Sequence, residues 1–169
     1  LAMGNATFRR IVATREHVVG GRVLTNSNQL LGSYEGAEGI KTGTTEAAGQ
    51  CLVSSAVRKD GHALCVVLGS ADRYRDTRLL LDYYFGSYIQ VPLGLGAVGL
   101  ARVRRPDGHW ASLVPEQSPV ALLPRWQLPW LRVQRVVARK PEPGGAAGLV
   151  RYTLGTVTLA QVPLQFGTP

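Results

Sequence analysis

The sequence is most informative at residues 39–49, which read Gly39-Ile40-Lys41-Thr42-Gly43-Thr44-Thr45-Glu46-Ala47-Ala48-Gly49. The tripeptide Lys-Thr-Gly alone occurs by chance in about a few per cent of chains of this length. The longer pattern K-T-G-x-T-x-x-A-G is roughly thousands-fold rarer. It also directly precedes two stretches with the composition of buried strands. We therefore expect a functional strand here, rather than an ordinary exposed strand edge with glycine bends.

The two apolar stretches that follow are joined by the turn sequence Arg58-Lys59-Asp60-Gly61-His62. Asp-Gly supplies the positive φ angles of a two-residue hairpin loop, which predicts an antiparallel pair with Lys59 opposite His62. Neither face of this pair is polar. One face carries Cys51, Val53, Val57, Leu64, Val66 and Leu68, and the other carries Leu52, Ala56, Ala63, Cys65 and Val67. We therefore expect a central pair of strands covered on both faces.

The same register bears on the only two cysteines of the sequence, Cys51 and Cys65. It places them on opposite faces and about five residues out of register, and each residue of that offset adds about 3.4 Å to their separation along the strand. A disulfide needs Cα atoms within about 7 Å of each other. We therefore predict no bridge between them, and we expect both to be small core residues.

An amphipathic helix is predicted over residues 72–85. Its apolar positions are Thr77, Leu80, Leu81, Tyr84 and Phe85. Asp72 or Ser70 is the expected N-cap, and Gly86 is the expected stop. Upstream of the motif, residues 8–14 and 17–24 are expected to be short strands or extended pieces around Gly20-Gly21. Residues 28–33 are expected to form a short turn or helix.

The composition changes near residue 91, where glycine and proline become frequent. Short apolar stretches alternate with these turn residues at 98–103, 120–123, 131–137, 149–154 and 156–162. Turn signals at such spacing predict a small all-β domain, with a hairpin that turns near Gly155. The fold class is therefore α/β, an antiparallel sheet with helices, followed by a small all-β domain. We expect the first domain to span residues 1–88 and the second to span residues 89–169.

The positive charge of the chain is concentrated in its second half. Residues 1–90 hold ten Lys or Arg and eight Asp or Glu, whereas residues 91–169 hold nine and three, which gives +2 and +6 of the total +8. This excess favours polyanionic neighbours such as anionic lipid, anionic wall polymer or nucleic acid. An ordinary solvated basic surface explains it equally well. Nucleic acid fits least, because the basic residues show no aromatic-flanked single-strand motif and no recognition helix.

Several classes of site and protein are disfavoured by the sequence. The chain has no apolar run of about 18 residues, so we expect no membrane-spanning helix. His17, His62 and His109 lie in unrelated contexts, and we expect no metal site and no cofactor. The three tryptophans, Trp110, Trp126 and Trp130, are expected in the β-domain core or at an interface rather than in a stacking platform.

The motif at Lys41-Thr42-Gly43 resembles the third active-site motif of the serine D-Ala-D-Ala carboxypeptidases, the low-molecular-mass penicillin-binding proteins. The flanking residues agree at Gly4-Asn5, Asn26-x-Asn28-x-Leu30-Leu31, Gly49-x-x-Leu52-Val53 and Leu80-Leu81-x-x-x-Phe85. The resemblance is strongest over residues 26–85 and loose over 91–148. It implies that residues 1–88 are the C-terminal portion of a transpeptidase-like catalytic domain with the penicillin-binding and β-lactamase-like fold. Residues 89–169 then correspond to the β-rich second domain of that family.

The resemblance implies acyl transfer, in which a serine attacks a D-Ala-D-Ala peptide, D-alanine leaves and water hydrolyses the acyl-enzyme. Lys41 would supply positive potential near the nucleophile and the substrate carboxylate. The Thr42 hydroxyl would bind the same carboxylate. Gly43, without a side chain, would let the peptide lie against the strand.

Two further roles are implied at the ends of this strand. The backbone N–H of Thr44 would be one of two oxyanion-hole donors, the other coming from the nucleophile. Arg73 matches a family arginine that holds the terminal carboxylate, with Arg75 as the nearby competitor. Arg73 as a plain surface arginine at a helix start is the alternative.

The sequence departs from the family at the nucleophile. No serine of the chain has a lysine three places on, and the nearest approach is Ser55-Ala-Val-Arg58, where arginine cannot act as a base. Ser27 lies next to Asn28 and lacks the Ser-x-Asn spacing. We therefore expect either a piece of a longer gene product, whose missing N-terminal part carries the nucleophile, or a protein that lost catalysis and kept a binding surface. As a half domain, the chain is expected to expose an apolar sheet face.

The leading functional hypothesis is part of a D,D-carboxypeptidase that acts on peptidoglycan stem peptides and binds β-lactams. Its expected location is extracytoplasmic and peripheral to the membrane, and this chain alone is expected to be inactive. A non-catalytic wall-binding or scaffold module built on the basic β domain is the alternative. A β-lactamase also fits the fold class, but the β-rich second domain argues against it.

Overall fold

The computed structural model describes residues 2–59, 61–93, 102–105, 107–138 and 147–167. The chain divides into two compact units, Leu1–Tyr88 and Ile89–Pro169. The first unit combines a helix, an antiparallel sheet and a second helix, and the second unit is built of strands, so the expected fold class is confirmed. After a 3-10 turn at Ala2–Gly4, the elements of the first unit are α1 (Ala6–Ala13), β1 (Glu16–Val19), β2 (Arg22–Thr25), β3 (Ala37–Thr45), β4 (Gly49–Arg58), β5 (Gly61–Ser70) and α2 (Arg73–Ser87).

Helix α1 corrects the expectation of extended structure over residues 8–14. The Asn5 side chain accepts a hydrogen bond from the backbone N–H of Phe8 at 3.0 Å and thereby caps the helix. The helix then packs on β3, where a Cβ atom added to Gly39 would lie only 2.8 Å from a methyl group of Val12. The short apolar pattern resembled a strand, but the cap and this close packing favour a helix.

Residues 17–24, expected to be a short strand or extended piece, belong to the paired strands β1 and β2, which turn at Gly20-Gly21. Both glycines have positive φ angles, +55° and +77°, and the strands pair from Glu16 opposite Thr25 to Val19 opposite Arg22. Glycine adopts these angles without strain, which explains why the pair turns here. Residues 28–36 then form successive turns without a regular helix.

The central sheet has the order β3-β4-β5, and all its strands are antiparallel. Arg58 pairs with Gly61 and Val57 with His62, so the predicted pairing of Lys59 with His62 is wrong by two positions. The shift of two leaves every side chain on its predicted face, because strand side chains alternate with a period of two. Asp60 lies outside the described residues.

The two faces of this sheet differ in their cover. Helix α2 and the turns at 28–34 cover one face, and the core there consists of Leu30, Tyr34, Leu52, Ala56, Ala63, Cys65, Val67, Leu81 and Phe85. On the other face Val57, Leu64, Val66 and Leu68 are 43–72% exposed. The expectation of cover on both faces is therefore wrong within the described residues, and the expected exposed apolar face is present.

Helix α2 begins at the predicted cap. The Asp72 carboxylate accepts from the backbone N–H groups of Tyr74 and Arg75 at 3.1 and 3.0 Å. Ser70, the other candidate, instead donates to Asp76 at 2.6 Å and accepts from the Asp72 N–H at 2.9 Å. The helix buries Thr77, Leu81 and Phe85, and it continues through the predicted stop to Ser87.

The two cysteines are free, as predicted, and they lie on opposite faces of the sheet. Cys65 is buried in the core, and that burial raises the pKa of its thiol. Cys51 is only partly buried, and its thiol lies 3.4 Å from the carbonyl oxygen of Ala48. The expectation of a core position therefore holds for Cys65 alone.

The second unit contains β6 (Tyr88–Pro92), β7 (Arg102–Arg104), β8 (Trp110–Pro115), β9 (Val120–Pro124), a 3-10 helix (Arg125–Trp130), β10 (Leu131–Val137), β11 (Gly148–Leu154) and β12 (Val157–Phe166). One sheet has the order β10-β11-β12-β8-β7, and β6 pairs with β9 in a second sheet. The expected strands at 120–123, 131–137, 149–154 and 156–162 are confirmed, whereas part of 98–103 lies outside the described residues. The hairpin of β11 and β12 turns at Gly155, as expected, with φ +58°.

The core of this unit is centred on Tyr152 and includes Leu93, Leu113, Ala147, Val150, Val162 and Leu164. All three tryptophans lie outside it, with 68% of Trp110, 64% of Trp126 and 54% of Trp130 exposed. The core position, one of the two expected for them, is therefore wrong, and a position at an interface stays a prediction. Among the described residues no helix combines the length and the apolar character that crossing a bilayer requires.

Candidate functional site

Strand β3 presents the Lys-Thr-Gly motif at an edge of the described sheet. Lys41 pairs with Val53 and Thr42 with Leu52, so their side chains point to opposite faces. Lys41 is exposed on the face that carries the uncovered apolar residues, and its ammonium group contacts the carbonyl oxygen of Thr42. Thr42 is half-buried on the face covered by α2. Strand β3 pairs with β4 along one edge. Its other edge has no strand partner among the described residues, so that edge is available for an added strand.

Gly43 and Gly49 differ in why each is glycine. Gly49 has φ +64°, and a Cβ atom there would lie 3.1 Å from the Cα atom of Gly69, so it is a bend residue. Gly43 is a strand residue without positive φ, and a Cβ atom there would meet only Cys51, at an ordinary 3.9 Å. Neither the backbone of this chain nor its packing therefore requires glycine at Gly43. An open, side-chain-free position on an edge strand suits the approach of another backbone.

Arg73, at the start of α2, reaches the motif. Its guanidinium Nη1 donates to the carbonyl oxygens of Gly43 at 2.8 Å and Cys51 at 3.2 Å. Its backbone N–H is directed toward the Gln50 side chain, and its guanidinium lies 5.4 Å from the ring centre of Tyr74. The side chain is thus held at the end of the β3-β4 pair, beside Gly43.

Arg75, the competing arginine, points elsewhere. Its side chain lines a shallow, open depression together with Gln29, Asp72, Tyr74, Arg78 and Leu79. Arg73 and Arg75 are thus only two positions apart in the first turn of α2, but Arg73 contacts the motif and Arg75 is exposed on the helix surface. This difference makes Arg75 a matched control for Arg73.

Ser27 lies at the same place, although Asn28 directly after it does not fit the Ser-x-Asn spacing. Its hydroxyl lies 2.7 Å from the Thr42 hydroxyl, and its carbonyl oxygen accepts from the Tyr74 hydroxyl at 2.6 Å. The flanking asparagines hold this turn: Asn26 donates to the carbonyls of Val12 and Thr14 at 3.3 and 3.0 Å, and Asn28 accepts from the Leu30 N–H at 3.1 Å. The Asn26-x-Asn28 spacing around Ser27 is the signal in the sequence that could have identified it.

The structure thus brings together Ser27, Thr42, Gly43 and Arg73, while Lys41 lies on the other face of the same strand. Thr44 is exposed and faces Gln50, one position beyond Gly43. The assembled groups are two hydroxyls and one guanidinium around an open strand edge. Hydroxyl and guanidinium donors beside an extended backbone are suited to bind a peptide that ends in a carboxylate.

Ser55 and Arg58, the nearest approach to a nucleophile and its base, have structural roles. Ser55 is buried, and its hydroxyl lies 2.7 Å from Nε2 of His62 and donates to Glu38 at 3.3 Å. Glu38 lies 3.9 Å from that same Nε2 atom, so the three groups do not form the relay in which acid and serine bind different ring nitrogens. Arg58 is sandwiched between the rings of Tyr34 and Phe85 at 4.8 and 4.7 Å.

Within the described part of the chain, no three His, Cys, Asp or Glu side chains are grouped so that they could hold a metal ion. The groups that the structure places at the Lys-Thr-Gly strand are the hydroxyls of Ser27 and Thr42, the guanidinium of Arg73 and the ammonium of Lys41. Such groups bind and orient an anionic peptide end.

Comparisons with known proteins are consistent with this chemistry. The family model described as D-alanyl-D-alanine carboxypeptidase matches residues 6–72, the segment that contains Ser27, Lys41, Thr42 and Gly43. The resemblance expected from the motif is thereby confirmed. Among curated proteins, the D-alanyl-D-alanine carboxypeptidase of Streptomyces sp. strain K15 is 36% identical over 97 residues, which cover 50% of this chain and 33% of that protein.

The D-alanyl-D-alanine carboxypeptidase DacF of Bacillus subtilis is 31% identical over 104 residues, 59% of this chain and 27% of that protein. Among solved structures, penicillin binding protein 5 of Haemophilus influenzae superposes with a TM-score of 0.67 at 20% identity, covering 95% of this chain and 50% of that one. This likeness concerns the fold alone. The chain spans about a third or less of the length of these two curated relatives.

Proposed function

We propose that this chain, whose residues 6–72 carry the sequence of the D-alanyl-D-alanine carboxypeptidase family, is part of an enzyme that removes the terminal D-Ala from peptidoglycan stem peptides. The reaction would pass through an acyl-serine whose nucleophile is not among these 169 residues. The observation that carries the proposal is the hydrogen bond from Arg73 to the carbonyl of Gly43, because it places a guanidinium of α2 beside the Lys-Thr-Gly motif at one strand edge.

Each group of the site has a role in this proposal. The peptide adds to the open edge of β3, and Gly43 lets its backbone approach. Thr42 and Arg73 bind the terminal carboxylate, the first by its hydroxyl and the second by its guanidinium. The backbone N–H of Thr44 provides one oxyanion-hole donor beside the scissile carbonyl.

Lys41 acts on the other side of the strand in the same proposal. It projects from the face on which Val57, Leu64, Val66 and Leu68 are exposed. We assign this uncovered face to the missing N-terminal part of the same protein, which would bring the nucleophilic serine toward Lys41. The positive charge of Lys41 would then stabilise the ionised nucleophile and attract the anionic substrate. The chain alone is accordingly expected to be inactive.

The substrate places the enzyme outside the cytoplasm, where peptidoglycan is built. β-Lactams, which mimic the D-Ala-D-Ala end, would acylate the same serine. The basic second unit fits an anionic wall or membrane surface and gives no support for nucleic acid.

Covalent labelling with a fluorescent penicillin, followed by mass spectrometry, tests this proposal. The product of the complete reading frame is expected to acquire one adduct, and this chain none. If the complete product is also unlabelled, the acyl-transfer proposal fails. A non-catalytic wall-binding or scaffold module is then the function to test.

Two arginine variants of the complete product test the assigned site. Arg73→Ala is expected to lower kcat/KM for a D-Ala-D-Ala peptide by about tenfold to a hundredfold, the cost of about one or two charge-assisted hydrogen bonds. Arg75→Ala, two residues away on the same helix, is expected to leave it unchanged. Equal losses in the two variants would remove Arg73 from the site.

A further inference from the structure

The 3-10 helix Arg125–Trp130 of the second unit presents two tryptophans to the outside. Trp126 and Trp130 contact each other, with ring centres 5.4 Å apart at an angle of 81°. Each exposes more than half of its surface, and neither belongs to the core of the unit. Large aromatic side chains that pack on each other at a surface typically mark an interaction site.

The strand that leads into this helix also carries exposed apolar side chains. On β9, Val120 and Leu122 are exposed on one face, while Leu123 on the other face is buried. The buried Leu123 fixes the strand to its unit, and Pro129 restricts the backbone inside the helix. We call Val120, Leu122, Trp126 and Trp130 the tryptophan surface.

Positive charge flanks this surface at both ends of the helix. Arg125 begins the helix, and Arg132 folds back to donate to the carbonyl oxygen of Pro129 at 2.8 Å. Residues 91–169 hold nine Lys or Arg and three acidic residues, a net charge of +6. The basic residues are Arg102, Arg104, Arg105, Arg125, Arg132, Arg135, Arg139, Lys140 and Arg151, and the acidic residues are Asp107, Glu116 and Glu142.

We propose that the tryptophan surface, with Arg125 and Arg132, binds the headgroup region of an anionic lipid bilayer. Tryptophan rings prefer the level of the lipid headgroups, where their apolar body and their N–H group are both accommodated. Aliphatic Val120 and Leu122 suit the upper acyl chains, and arginines nearby attract anionic headgroups. The surface belongs to the second unit and does not depend on the function proposed for the first.

Two other ligand classes fit the surface less well. Successive bases of single-stranded nucleic acid stack on aromatic faces one after another, but the 81° angle between these rings prevents a continuous stack. A sugar chain could use the donors of Arg125 and Arg132 beside the rings, but the exposed aliphatic side chains of Val120 and Leu122 offer it no hydrogen-bonding partner. An anionic bilayer satisfies both the aliphatic and the basic parts of the surface.

Co-sedimentation of the chain with lipid vesicles tests the proposal. Vesicles of phosphatidylcholine and phosphatidylglycerol in equal amounts are expected to bind the chain, and vesicles of phosphatidylcholine alone to bind it much less. Binding is expected to weaken with added salt, because exposed charges are screened. The double variant Trp126→Ala/Trp130→Ala is expected to lose about tenfold or more in partitioning, since it removes two large apolar side chains from the contact.

Trp110→Ala is the matched control, because Trp110 lies in the same unit and is exposed to a similar extent. It is expected to bind vesicles like the wild type. Brominated lipids should quench the fluorescence of a Trp110→Phe variant, in which only Trp126 and Trp130 emit. Circular dichroism should show that the double variant keeps its fold, since both side chains are largely outside the core.

Three results would overturn the proposal. They are failure of the wild-type chain to bind anionic vesicles, equal binding by the double variant, and an equal loss for Trp110→Ala. If the double variant instead loses binding to isolated peptidoglycan while vesicle binding is unaffected, the surface belongs to a wall glycan and the lipid assignment is wrong.

Discussion

The two faces of the sheet β3-β4-β5 have the same apolar character but opposite environments. On one face, Leu52, Ala56, Cys65 and Val67 are buried beneath α2 and the turns at 28–34. On the other face, Val57, Leu64, Val66 and Leu68 are exposed. Side-chain chemistry alone does not distinguish them, so the difference lies in what the rest of the chain supplies as cover.

This difference bears on how the candidate site is built. Thr42 and Arg73 lie with the covered side of the unit. The Thr42 hydroxyl lies 2.7 Å from that of Ser27, and Arg73, the first residue of α2, donates to the carbonyl oxygen of Gly43 at 2.8 Å. Lys41 shares its face with the exposed apolar residues. The groups proposed to bind the carboxylate thus all lie within this chain, whereas the sheet face assigned to the part that carries the nucleophile is exposed among the described residues.

The largest expected effect on the free energy of unfolding comes from a substitution on the covered face. Leu52→Ala removes a side chain that is 1% exposed and leaves a cavity beneath α2. We expect the free energy of unfolding to fall by about 2–5 kcal/mol. Far-UV circular dichroism at helix wavelengths measures it, because the two α-helices of the described residues lie in the first unit. All three tryptophans lie in the second unit and report on that unit. A loss smaller than about 1 kcal/mol would mean that this face is not a packed core.

A smaller effect, which depends on pH, is expected at Tyr34 on the same side of the sheet. Burial and the 2.8 Å hydrogen bond that it donates to Asp82 raise the pKa of the Tyr34 hydroxyl. The neutral form is thus favoured in the fold. The contribution of the Tyr34 hydroxyl to the free energy of unfolding is complete below about pH 10, the pKa of tyrosine in the unfolded chain, and is lost as the pH rises above that value. Alkaline titration of the helix signal should show this loss.

Tyr34→Phe is expected to flatten that alkaline slope, at the cost of about 1 kcal/mol at neutral pH for the lost hydrogen bond. Tyr152→Phe is the control in the other unit, where burial also raises the pKa of a tyrosine. It should change the tryptophan-reported transition and leave the helix-reported slope intact. An unaltered slope in Tyr34→Phe would contradict the assignment.

The N-cap of α2, Asp72, is expected to contribute to the free energy of unfolding as N-cap side chains commonly do. Asp72→Ala removes the acceptor for the N–H groups of Tyr74 and Arg75 and is expected to lower stability by about 0.5–2 kcal/mol. Asp72→Asn keeps an acceptor and should lose less. If both variants are equally destabilised, the charge of Asp72 rather than its cap geometry matters.

The smallest expected effect is at the exposed face. Leu68→Ala makes the same chemical change as Leu52→Ala at a side chain that is 72% exposed, and we expect less than about 0.5 kcal/mol. Leu68→Ser should instead reduce self-association of the chain in analytical ultracentrifugation, because it interrupts an exposed apolar patch. A loss for Leu68→Ala comparable to that for Leu52→Ala would abolish the contrast between the faces.

Local patterns were sufficient where short-range chemistry dominates. The alternation of apolar residues assigned every side chain of the β4-β5 hairpin to its observed face. Asp72 marked the start of a helix, and Gly20-Gly21 marked a turn. Both features depend on only a few neighbouring residues. The Lys-Thr-Gly motif likewise indicated the strand that carries the site. The roles of Lys41, Thr42, Gly43, Thr44 and Arg73 stay predictions.

Long-range contacts decided the features that the patterns missed. Helix α1 forms where its side chains meet Gly39, and Ser27 joins the site only because Tyr74 and Thr42, 47 and 15 residues away in sequence, converge on it. The exposure of the tryptophans and of one sheet face depends on which surfaces find a partner. An apolar residue carries the same tendency to be buried wherever it occurs, so only the tertiary structure determines which of those tendencies is satisfied.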